Sequence, residues 1–523
     1  MKKIIGRALI VIPALFMQLL WYAILLSLLD KLLYGQLGAI INAVFSILSV
    51  IFAMSIIARR DESSYKLLWV MVITAMPVLG AILYFALGNK HTGAALKKKL
   101  DKTGRFVSKP DIIEKENNDN LSDIAENDAR LSQTLRFISD STGFPVLKNK
   151  TSKLYAFGED MFADMCLDLV KAEKYVYIEY FIIRTGKFWD TLTDILAERI
   201  KSGVDVRVMY DDLGSIATYS MRDIKALTEK GIKCIPFNPF FLIKTQLNNR
   251  DHRKIMVIDG EIAYSGGVNL SDEYINEIHP HGIWKDIGFR ITGAAVKSYA
   301  YMFMEFWNAF SPDAIPEDLA EQRITESILR DITESESTPG ADNGYIMPYY
   351  DSPVSDEHTS NILYSEALSM ATDYVWFYTP YLILGDALYD SFIRAARRGV
   401  DIRIIMPGIP DKKMVFRLSR SYYGDLIKAG VRIYEYTPGF VHAKAVLMDD
   451  KFAGIGSVNL DYRSLFLHFE CNSIFYKADI VECLKNDYLN TLKACKEIKY
   501  ENINRNIPNT LLNNFLRVFA PLL

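Results

Sequence analysis

Three apolar stretches without a charged residue dominate the start of the chain, at residues 8–29, 37–57 and 67–87. Each is 21 or 22 residues long, and a helix of that length crosses the hydrocarbon core of a bilayer at about 1.5 Å per residue. Three stretches in tandem, with no small-residue cleavage site after a short apolar run, favour an anchor over a signal peptide. The pattern predicts a membrane anchor at residues 1–95 with two or three hydrophobic helices. Lys and Arg clusters flank every stretch, so the orientation in the membrane is open.

Polar stretches divide the rest of the chain. Residues 96–141 are rich in Asn, Asp, Glu and Lys, which indicates a polar linker with some helix. An acidic linker containing Pro and Gly follows at residues 311–344 and separates two predicted domains, 142–310 and 345–523. The second domain ends in an amphipathic segment that is apolar at helical spacing. This segment either docks at a bilayer interface or packs on the protein body.

The two predicted domains repeat one order of elements. Short β-branched or aromatic runs begin at Tyr175 and Tyr374, and each is followed by a helix-length amphipathic segment and another apolar run. A third run follows in both halves, at residues 231–236 and 430–435. This order is typical of βαβ units with parallel strands. The sequence therefore predicts an α/β fold of two duplicated βαβ-sandwich domains packed around one active site and preceded by N-terminal transmembrane helices.

The same four polar residues follow the third run in both halves. They are His252, Lys254, Asp259 and Asn269 in the first copy and His442, Lys444, Asp449 and Asn459 in the second. The histidines are 442 − 252 = 190 residues apart, and the same offset relates the other three pairs. A single His-x-Lys-x4-Asp pattern is weak, because an exposed strand with alternating polar residues explains it equally well. Repetition in one register makes chance a poor explanation.

The repeated residues suit a phosphodiester substrate. On a strand, a histidine and a lysine two positions apart point to the same face, so each copy presents an imidazole beside an ammonium. Lys254, Lys444, Asn269 and Asn459 are candidates to bind the non-bridging oxygens as negative charge grows on phosphorus. One histidine can attack phosphorus while the other protonates the departing oxygen and then serves as base for an incoming hydroxyl. This chemistry needs no metal and no cofactor.

A nucleophilic imidazole needs a carboxylate at its other ring nitrogen to hold the correct tautomer. Asp286 and Glu470, each on the next predicted strand after its motif, are candidates for this orienting role, and the alternative is that both are ordinary exposed acids. Asp259 and Asp449 belong to the motif and are counted with the catalytic residues. Stabilising the turn after the motif strand, or pairing with a lysine, is nevertheless the more plausible role for these two.

Composition and the intact motifs argue against a nuclease, a disulfide framework, a zinc site and an inactive scaffold. The chain has 523 residues and a formal net charge of −3, whereas a nuclease should carry a basic surface that neutralises phosphates. Five scattered cysteines without CxxC spacing predict neither a disulfide framework nor a zinc site. A catalytically dead scaffold would be expected to lose at least one of the paired His or Lys residues, and both sets are intact.

At these motifs the chain resembles the phospholipase D superfamily, and from the last apolar stretch to the C-terminus it resembles bacterial cardiolipin synthases. The runs that carry the resemblance are NRDHRKIMVIDG (249–260), YDDLGS (210–215), TPY (379–381), MPG (406–408), SRSYY (419–423), NLDYRS (459–464) and APLL (520–523). Two features depart from many relatives: His468 replaces an Asn before the Phe-Glu dipeptide, and there are three apolar stretches where two are usual.

The resemblance implies two phospholipase D-like domains and a cardiolipin synthase in the bacterial cell membrane, with several passes through it. One phosphatidylglycerol would transfer its phosphatidyl group to another through a phosphatidyl-histidine, giving cardiolipin and glycerol. It further implies His252 as nucleophile and His442 as acid and base. The expected partners are phosphatidylglycerol and the lipid bilayer, without nucleic acid, and the oligomeric state is open. The alternatives are a membrane-bound phospholipase D that hydrolyses phospholipid and a phosphodiesterase or nuclease of the same fold.

Overall fold

The fold comes from a computed structural model, which describes residues 36–59, 61–88, 94–103, 111–239, 248–316, 319, 343–355, 357–503 and 507–522. By its internal contacts the chain divides into two compact units. The smaller unit contains Met1–Thr92, Phe240–Asn248 and Asn514–Leu523, and the larger unit contains Gly93–Pro239 and Asn249–Asn513. Both copies of the repeated motif lie in the larger unit.

The smaller unit begins, within the described residues, with α1 (Gln36–Ile57), α2 (Ser63–Ala75) and α3 (Pro77–Leu83). The apolar stretch 37–57 lies within α1. The stretch 67–87 is interrupted at Met76, because a residue before proline disfavours the helical conformation and Pro77 starts a new helix. The stretch 8–29 lies outside the described residues.

The prediction of N-terminal transmembrane helices is not supported by this part of the chain. Of the helices in the described ranges, none is both long enough and apolar enough to cross a membrane. The multi-pass arrangement therefore lacks support as well. Apolar side chains are nonetheless exposed on α1 and α2, including Ile47 at 60%, Met54 at 64% and Leu67 at 58%. Such a concentration of exposed apolar side chains marks a surface for contact with lipid or protein.

The larger unit is built from α-helices and three β-sheets. Its helices are α4 (Ala94–Thr103), α5 (Asp111–Asn127), α6 (Ala129–Thr142), α7 (Gly158–Leu169), α8 (Lys187–Lys201), α9 (Asp212–Ser215), α10 (Met221–Glu229), α11 (Val296–Phe310), α12 (Thr359–Met370), α13 (Asp386–Arg397), α14 (Lys413–Ala429), α15 (Tyr462–Phe466) and α16 (Asp479–Leu492), followed by α17 (Ile507–Val518), which continues into the smaller unit. Its strands are β1 (Leu147–Lys148), β2 (Thr151–Tyr155), β3 (Tyr175–Tyr180), β4 (Asp205–Asp211), β5 (Lys233–Phe237), β6 (Arg250–Asp251), β7 (Lys254–Ile258), β8 (Ile262–Gly266), β9 (Ile283–Lys285), β10 (Gly288–Thr292), β11 (Tyr345–Asp351), β12 (Tyr374–Tyr378), β13 (Asp401–Pro407), β14 (Arg432–Tyr436), β15 (Gly439–Val441), β16 (Ala445–Met448), β17 (Phe452–Gly456), β18 (His468–Tyr476) and β19 (Cys495–Ile498).

Helices α4, α5 and α6 occupy most of the stretch predicted as a polar linker with some helix. Asp128 caps α6 by accepting a hydrogen bond from the Leu131 N–H at 3.1 Å. The same carboxylate accepts a hydrogen bond from Lys451 Nζ at 2.7 Å, in the second half of the repeat. The polar composition of this stretch therefore belongs in part to helices that are fastened to the body.

The first half of the repeat forms a seven-stranded sheet in the order β2-β10-β8-β7-β3-β4-β5. Strands β3, β4 and β5 pair in parallel, whereas β7 runs antiparallel to β3. The second half forms a larger sheet in the order β1-β11-β18-β17-β16-β12-β13-β14-β19, in which β12, β13 and β14 are parallel and β16 is antiparallel to β12. Both halves therefore contain the predicted parallel strands, with α8 and α13 as the crossover helices, and this prediction is confirmed.

Each half also pairs a short strand with the opposite half. Strand β6 runs parallel to the start of β18, with Arg250 opposite His468. Strand β15 runs parallel to β9, with Val441 opposite Lys285. The residues immediately before both motif histidines are thus bound to the other half of the repeat.

Helix α11 joins the two sheets through aromatic packing. It contacts β3 and β7 of the first sheet and β11 of the second. The Phe303 ring stacks on Tyr177 with centroids 4.5 Å apart, and the Phe306 ring meets Phe469 edge-on at 5.0 Å. Burial of large aromatic rings between two sheets is a strong hydrophobic contact. It holds the two halves in one body.

The amphipathic segment predicted at the C-terminus forms α17. Arg417 on α14 donates hydrogen bonds to Asn509 at 2.8 Å and to Asn513 at 3.2 Å. Leu511 and Phe515 are exposed, at 64% and 60%. The helix therefore has one face with polar contacts and one apolar face that is open.

Candidate active site

Each motif histidine lies in a short connection between two strands. His252 follows β6 and precedes β7, and His442 follows β15 and precedes β16. Lys254 is the first residue of β7, and Lys444 directly precedes β16. The expectation that histidine and lysine share one regular strand is therefore corrected. Because β6 and β15 pair with the opposite half, the two histidines are held where the halves meet.

The carboxylates that contact the histidines come from the opposite half. His252 Nδ1 lies 2.8 Å from Glu470 Oε2, and His442 Nδ1 lies 2.6 Å from Asp286 Oδ2. A ring N–H that donates to a carboxylate leaves Nε2 as the unprotonated nitrogen. Both carboxyl groups are fully buried, so they are not ordinary surface acids. The sequence suggested these two residues but not the exchange between halves.

The backbone repeats the same exchange. The His252 N–H donates to the carbonyl oxygen of Phe469 at 2.8 Å, and the His442 N–H donates to that of Lys285 at 2.7 Å. Phe469 and Lys285 each directly precede the carboxylate residue that contacts the same histidine. Each motif histidine is thus held at two points, its peptide N–H and its ring, by two consecutive residues of the other half.

The two lysines fold back on the histidines of their own motifs. Lys254 Nζ donates to the carbonyl oxygen of His252, and Lys444 Nζ donates to that of His442. Lys444 Nζ also lies 2.7 Å from His442 Nδ1. Both lysines are only 1% exposed. Each imidazole therefore has a buried ammonium group at its side, as the motif predicted.

The two asparagines differ in their contacts. Asn269 Nδ2 donates to the Tyr274 hydroxyl at 2.8 Å, and Asn269 Oδ1 accepts from the Ile182 N–H at 3.1 Å. Asn459 is buried, and its Oδ1 has no hydrogen-bond partner among the described residues. The first amide is thus held at both ends by protein groups, whereas the second keeps an unsatisfied acceptor.

Asp259 and Asp449 lie at the far ends of the motif strands. The Asp259 carboxylate accepts hydrogen bonds from the backbone N–H groups of residues 173–175 at 2.7 to 2.8 Å. The Asp449 carboxylate accepts from those of residues 372–374 at 2.8 to 3.0 Å. Their place among the catalytic residues remains a prediction, and these contacts favour a structural role instead. These carboxylates tie the turn after each motif strand to the start of β3 or β12, which is the alternative role considered for them.

The positions two residues before the asparagines support the carboxylates. A Cβ atom on Gly267 would lie 2.1 Å from Asp286 Oδ1, so only glycine leaves room for that carboxylate. The equivalent residue 190 positions later is Ser457, whose hydroxyl donates to Glu470 Oε2. Sequence reasoning gave neither residue a role. The difference between Gly267 and Ser457, at one position of an otherwise matching repeat, was the signal that could have indicated their roles.

The two histidines have different neighbours. The His252 ring meets Phe181 edge-on at 4.8 Å and lies 6.3 Å from the ring of His468. His468 Nδ1 is 3.0 Å from the carbonyl oxygen of Leu467, to which it donates. The departure from relatives at position 468 therefore places a third imidazole beside the first motif histidine.

Aromatic rings surround His442. Tyr274, Trp284 and Phe440 have ring centroids 5.3, 5.6 and 5.9 Å from the His442 centroid. His281 lies outside this group, 6.3 Å from Trp284 and 6.1 Å from Phe440. The loop that carries His281 thus reaches the aromatic neighbours of His442.

Burial and the crowding of cations set the charges of the histidines and lysines. Burial and the neighbouring ammonium groups of Lys254 and Lys444 hold the pKa of His252 well below its ordinary value. Burial and Lys444 lower the pKa of His442 to about 4. Burial also lowers the pKa of Lys254 to about 8 and that of Lys444 to about 7. Two neutral imidazoles therefore lie beside lysines that lose their protons near neutral pH.

The two buried carboxyl groups are shifted in opposite directions. Burial raises the pKa of Glu470 to about 7, against the opposing effect of Lys254. Burial also acts to raise the pKa of Asp286, but the charges of His442 and Lys444 outweigh it and leave this pKa below its ordinary value. Asp286 is thus a carboxylate at neutral pH, whereas Glu470 changes its charge there.

A buried charge cluster lies next to the first histidine. Arg253 Nε donates to Asp251 Oδ1 at 2.9 Å, and a second guanidinium nitrogen donates to Glu179. The guanidinium carbon is 3.6 Å from the centroid of the Phe306 ring. The equivalent position in the second half, 443 − 253 = 190 residues later, is Ala443. At this position of the repeat, the second half therefore has no charged side chain.

The arrangement combines two imidazoles that can act as nucleophile or proton carrier with two ammonium groups that can bind an anion. An unprotonated Nε2 atom is suited to attack at phosphorus. The buried cations are suited to stabilise the negative oxygens of the phosphate. Over the described ranges, no three His, Cys, Asp or Glu side chains are grouped so as to hold a metal ion.

Known proteins share both the sequence and the fold. The family model for the cardiolipin synthase phospholipase D-like domain matches residues 165–286 and 364–491, and a phospholipase D-nuclease N-terminal model matches residues 47–89. An uncharacterized protein of Streptococcus mutans is 38% identical over 87% of this chain and 96% of its own length. A cardiolipin synthase of Alkalihalophilus pseudofirmus is 30% identical over 95% of this chain and 98% of its own length.

A solved structure gives the same fold. The crystal structure of phosphatidylserine synthase from Haemophilus influenzae matches with a TM-score of 0.55 and 14% identity, over 75% of this chain and 100% of that chain. At this identity the likeness bears on the fold alone, and it agrees with two phospholipase D-like halves. The sequence matches show that the chain belongs to the cardiolipin synthase family of phospholipase D-like phosphatidyltransferases.

Proposed function

We propose that this protein is a cardiolipin synthase, which transfers a phosphatidyl group from one phosphatidylglycerol to another and releases glycerol. The observation that carries the proposal is the pair of exchanged contacts, His252 with Glu470 and His442 with Asp286, each beside a buried lysine. Family membership supports a phospholipid as the substrate. The names of the relatives support phosphatidylglycerol within that class.

In the first step, His252 Nε2 attacks phosphorus and the bond to the glycerol headgroup breaks. Glu470 supports this attack by accepting a hydrogen bond from Nδ1–H, so that Nε2 carries the lone pair. The anionic phosphodiester and Asp286 favour the imidazolium form of His442 once the lipid is bound, and this imidazolium gives its proton to the departing glycerol oxygen. Lys254 and Lys444 stabilise the negative oxygens, which is the largest electrostatic contribution available in the site.

In the second step, neutral His442 takes the proton from a hydroxyl group of another phosphatidylglycerol. That oxygen bonds to phosphorus as the bond between phosphorus and His252 breaks, which gives cardiolipin and restores both imidazoles. Asp286 stabilises the imidazolium form of His442 in both steps. Asn269 and Asn459 are the remaining candidates for contact with the phosphate, through their amide groups.

The same proposal includes association with a membrane, because both substrates are bilayer lipids. Exposed apolar side chains on α1 and α2 and on α17 support contact with a lipid surface. The proposal is limited to membrane association, since no helix in the described ranges supports a multi-pass arrangement.

The test uses the purified full chain in vesicles of phosphatidylglycerol, without nucleotide or other lipid. We expect cardiolipin and free glycerol in equal amounts, measured by mass spectrometry and by an enzymatic glycerol assay. If phosphatidic acid is the only product, the protein hydrolyses phosphatidylglycerol and the proposed transfer is wrong. A requirement for CDP-diacylglycerol would overturn the donor assignment.

A further inference from the structure

The two histidines must serve different parts of the substrate. In phosphoryl transfer the attacking and leaving atoms lie roughly in line on opposite sides of phosphorus. If His252 is the nucleophile, the departing glycerol and the incoming hydroxyl both lie on the side of His442, which carries their proton. Groups that recognise the headgroup should therefore be found near His442.

Polar residues of the second half lie just beyond the aromatic neighbours of His442. Tyr381 packs against the hydrophobic cluster that contains Tyr274, Trp284 and Phe440. Its hydroxyl donates a hydrogen bond of 2.6 Å to Asp411 Oδ2. Tyr381 follows β12, and Asp411 lies in the connection between β13 and α14. The two residues come from the ends of neighbouring parallel strands, where loops of α/β folds bind ligands.

Solvent exposure increases from Asp411 to Lys412. The Asp411 side chain is 19% exposed and that of Lys412 is 63% exposed. Lys412 Nζ lies 3.9 Å from Asp411 Oδ2 and 5.1 Å from the centroid of the Tyr381 ring. The hydrogen-bond acceptor, Asp411, is therefore mostly buried, and the cation, Lys412, is exposed to solvent. The Asp411 carboxylate contacts the Tyr381 hydroxyl and Lys412, and it has no part in the chemistry proposed at His252 and His442.

We propose that Tyr381 and Asp411 form the subsite for the glycerol headgroup, with Lys412 beside it for the phosphate of the acceptor lipid. This inference rests on the proposed function and names the residues that choose the alcohol. Asp411 accepts a hydrogen bond from the glycerol hydroxyl that does not react, while the reacting hydroxyl lies at His442. Outward from these groups, Lys412 contacts the phosphate that links the headgroup to its own diacylglycerol.

The charges and hydrogen bonds of the group fit a polyol. An ionised carboxylate has lone pairs for several donors, so one bond from Tyr381 leaves room for a hydroxyl group. Burial and the charge of Asp411 raise the pKa of Tyr381, which keeps the phenol protonated as a donor. Lys412 offsets the charge of Asp411 and makes the group less attractive to an ammonium headgroup. Removal of one such hydrogen bond costs about a factor of ten in selectivity.

The same subsite serves both steps. In the first step the glycerol held there leaves with the proton from His442. In the second step a glycerol headgroup enters there, its terminal hydroxyl gives its proton to His442, and its oxygen replaces His252 on phosphorus. The leaving group and the acceptor are the same alcohol, so one set of contacts recognises both.

The experiment compares two alcohols as acceptors in one reaction. The full chain in phosphatidylglycerol vesicles receives deuterated glycerol and 1-propanol at equal concentration, and mass spectrometry gives the ratio of deuterated phosphatidylglycerol to phosphatidylpropanol. We expect Asp411→Asn to lower this ratio about 10-fold and Tyr381→Phe about 3-fold, because propanol has no second hydroxyl. Both substitutions nearly preserve side-chain volume, which protects folding.

Matched controls use residues of the same type outside the group. Asp390→Asn, at an exposed position on α13, should leave the alcohol ratio unchanged. Lys412→Ala should raise the KM for the acceptor lipid several-fold without changing the alcohol ratio, and Lys413→Ala should not. An unchanged ratio in Asp411→Asn, or an equal fall in Asp390→Asn, overturns the subsite. Absence of every transfer product with the unaltered protein overturns the proposed function together with the subsite.

Discussion

The two halves carry the same His, Lys and Asn in one register, yet their exchanged carboxylates are supported differently. Asp286 is the shorter side chain and lies against Gly267, which leaves it room. Glu470 is the longer one and accepts a hydrogen bond from the Ser457 hydroxyl. The pKa of Asp286 is lowered, whereas that of Glu470 is raised to about 7. A repeated motif can therefore place two imidazoles alike and still give them different proton chemistry.

The neighbouring side chains extend this difference. Arg253 and its buried acids lie next to His252, whereas Ala443 occupies the same position of the repeat next to His442. Aromatic rings surround His442, and a third imidazole lies near His252. Charged groups and a second imidazole are thus the neighbours of His252, whereas aromatic rings are the neighbours of His442. This asymmetry supports separate roles for the two residues.

The largest test of separate roles removes each histidine in turn. We expect His252→Ala to lose at least about 10⁴-fold in kcat, and His442→Ala to lose about 10²- to 10⁴-fold, because only the first removes the nucleophile. With an activated phosphodiester whose leaving group needs no proton, His442→Ala should still form a covalent adduct. Peptide mapping by mass spectrometry should locate that adduct on His252.

The same adduct experiment with His252→Ala decides which histidine is the nucleophile. His252→Ala should form no adduct with the same activated substrate. An adduct on His442 in that variant would exchange the two roles and would move the expected headgroup side to His252.

The second test exchanges the residues that support the carboxylates. Gly267→Ala should lower kcat about 10²-fold, because the new Cβ would lie 2.1 Å from Asp286 Oδ1 and displace it from His442. Ser457→Ala should lower kcat about 10-fold, because Glu470 loses one hydrogen bond but keeps its position. Steady-state kinetics on folded variants, checked by circular dichroism, measure both. Equal losses would show that the two carboxylates are supported to the same degree.

The third test uses pH. Glu470 has a raised pKa of about 7, so its carboxylate form exists above that pH, and kcat/KM should fall as pH decreases through 7. Lys444 and Lys254 have lowered pKa values of about 7 and 8, so their charged forms are lost as pH rises, and kcat/KM should fall again above this range. We therefore expect a narrow optimum of kcat/KM near about pH 7.

Variants separate the two limbs of this profile. Lys444→Arg keeps its charge at high pH, so the alkaline limb should move to higher pH even if the rate is lower. Glu470→Gln has no carboxyl group, so the acid limb should move to lower pH. An acid limb that is unchanged in Glu470→Gln would contradict its assignment to this residue.

The smallest effect on catalysis is expected at the motif aspartates. Asp259→Asn and Asp449→Asn weaken the hydrogen bonds that fasten the two turns, so each should lower the free energy of unfolding by about 1 to 3 kcal/mol. Because these carboxylates bind backbone groups away from the histidines, kcat should change by less than about 3-fold. Urea unfolding and steady-state kinetics give the two values. A loss of kcat as large as that of His442→Ala would return Asp259 or Asp449 to the catalytic set.

Much of the larger unit could be predicted because its information is local. The runs beginning at Tyr175 and Tyr374 are short, apolar and followed by amphipathic segments, and the structure has parallel strands there. The repeated offset of 190 residues located His252 and His442 before any geometry was known. Alternation and repetition report on secondary structure and duplication, and both are read along the chain.

What could not be predicted depends on contacts between distant residues. Nothing in the sequence near His252 shows that its carboxylate is Glu470, 218 positions away. The break at Met76 is a different case, because Pro77 in the third apolar stretch is a local signal for the end of a helix. The packing of residues 111–142 was missed since polar composition alone does not distinguish a linker from a surface helix.

The exchange of carboxylates between the halves bears on how such a protein could arise. A single half contains a histidine and a carboxylate, but its strands bring the carboxylate to the histidine of the other half. An ancestor of one-half length would have had complete histidine–carboxylate pairs only as a two-chain assembly. Two copies fused in one chain can each change their own carboxylate, as the difference between Asp286 and Glu470 illustrates, and each histidine still keeps a partner in the other half.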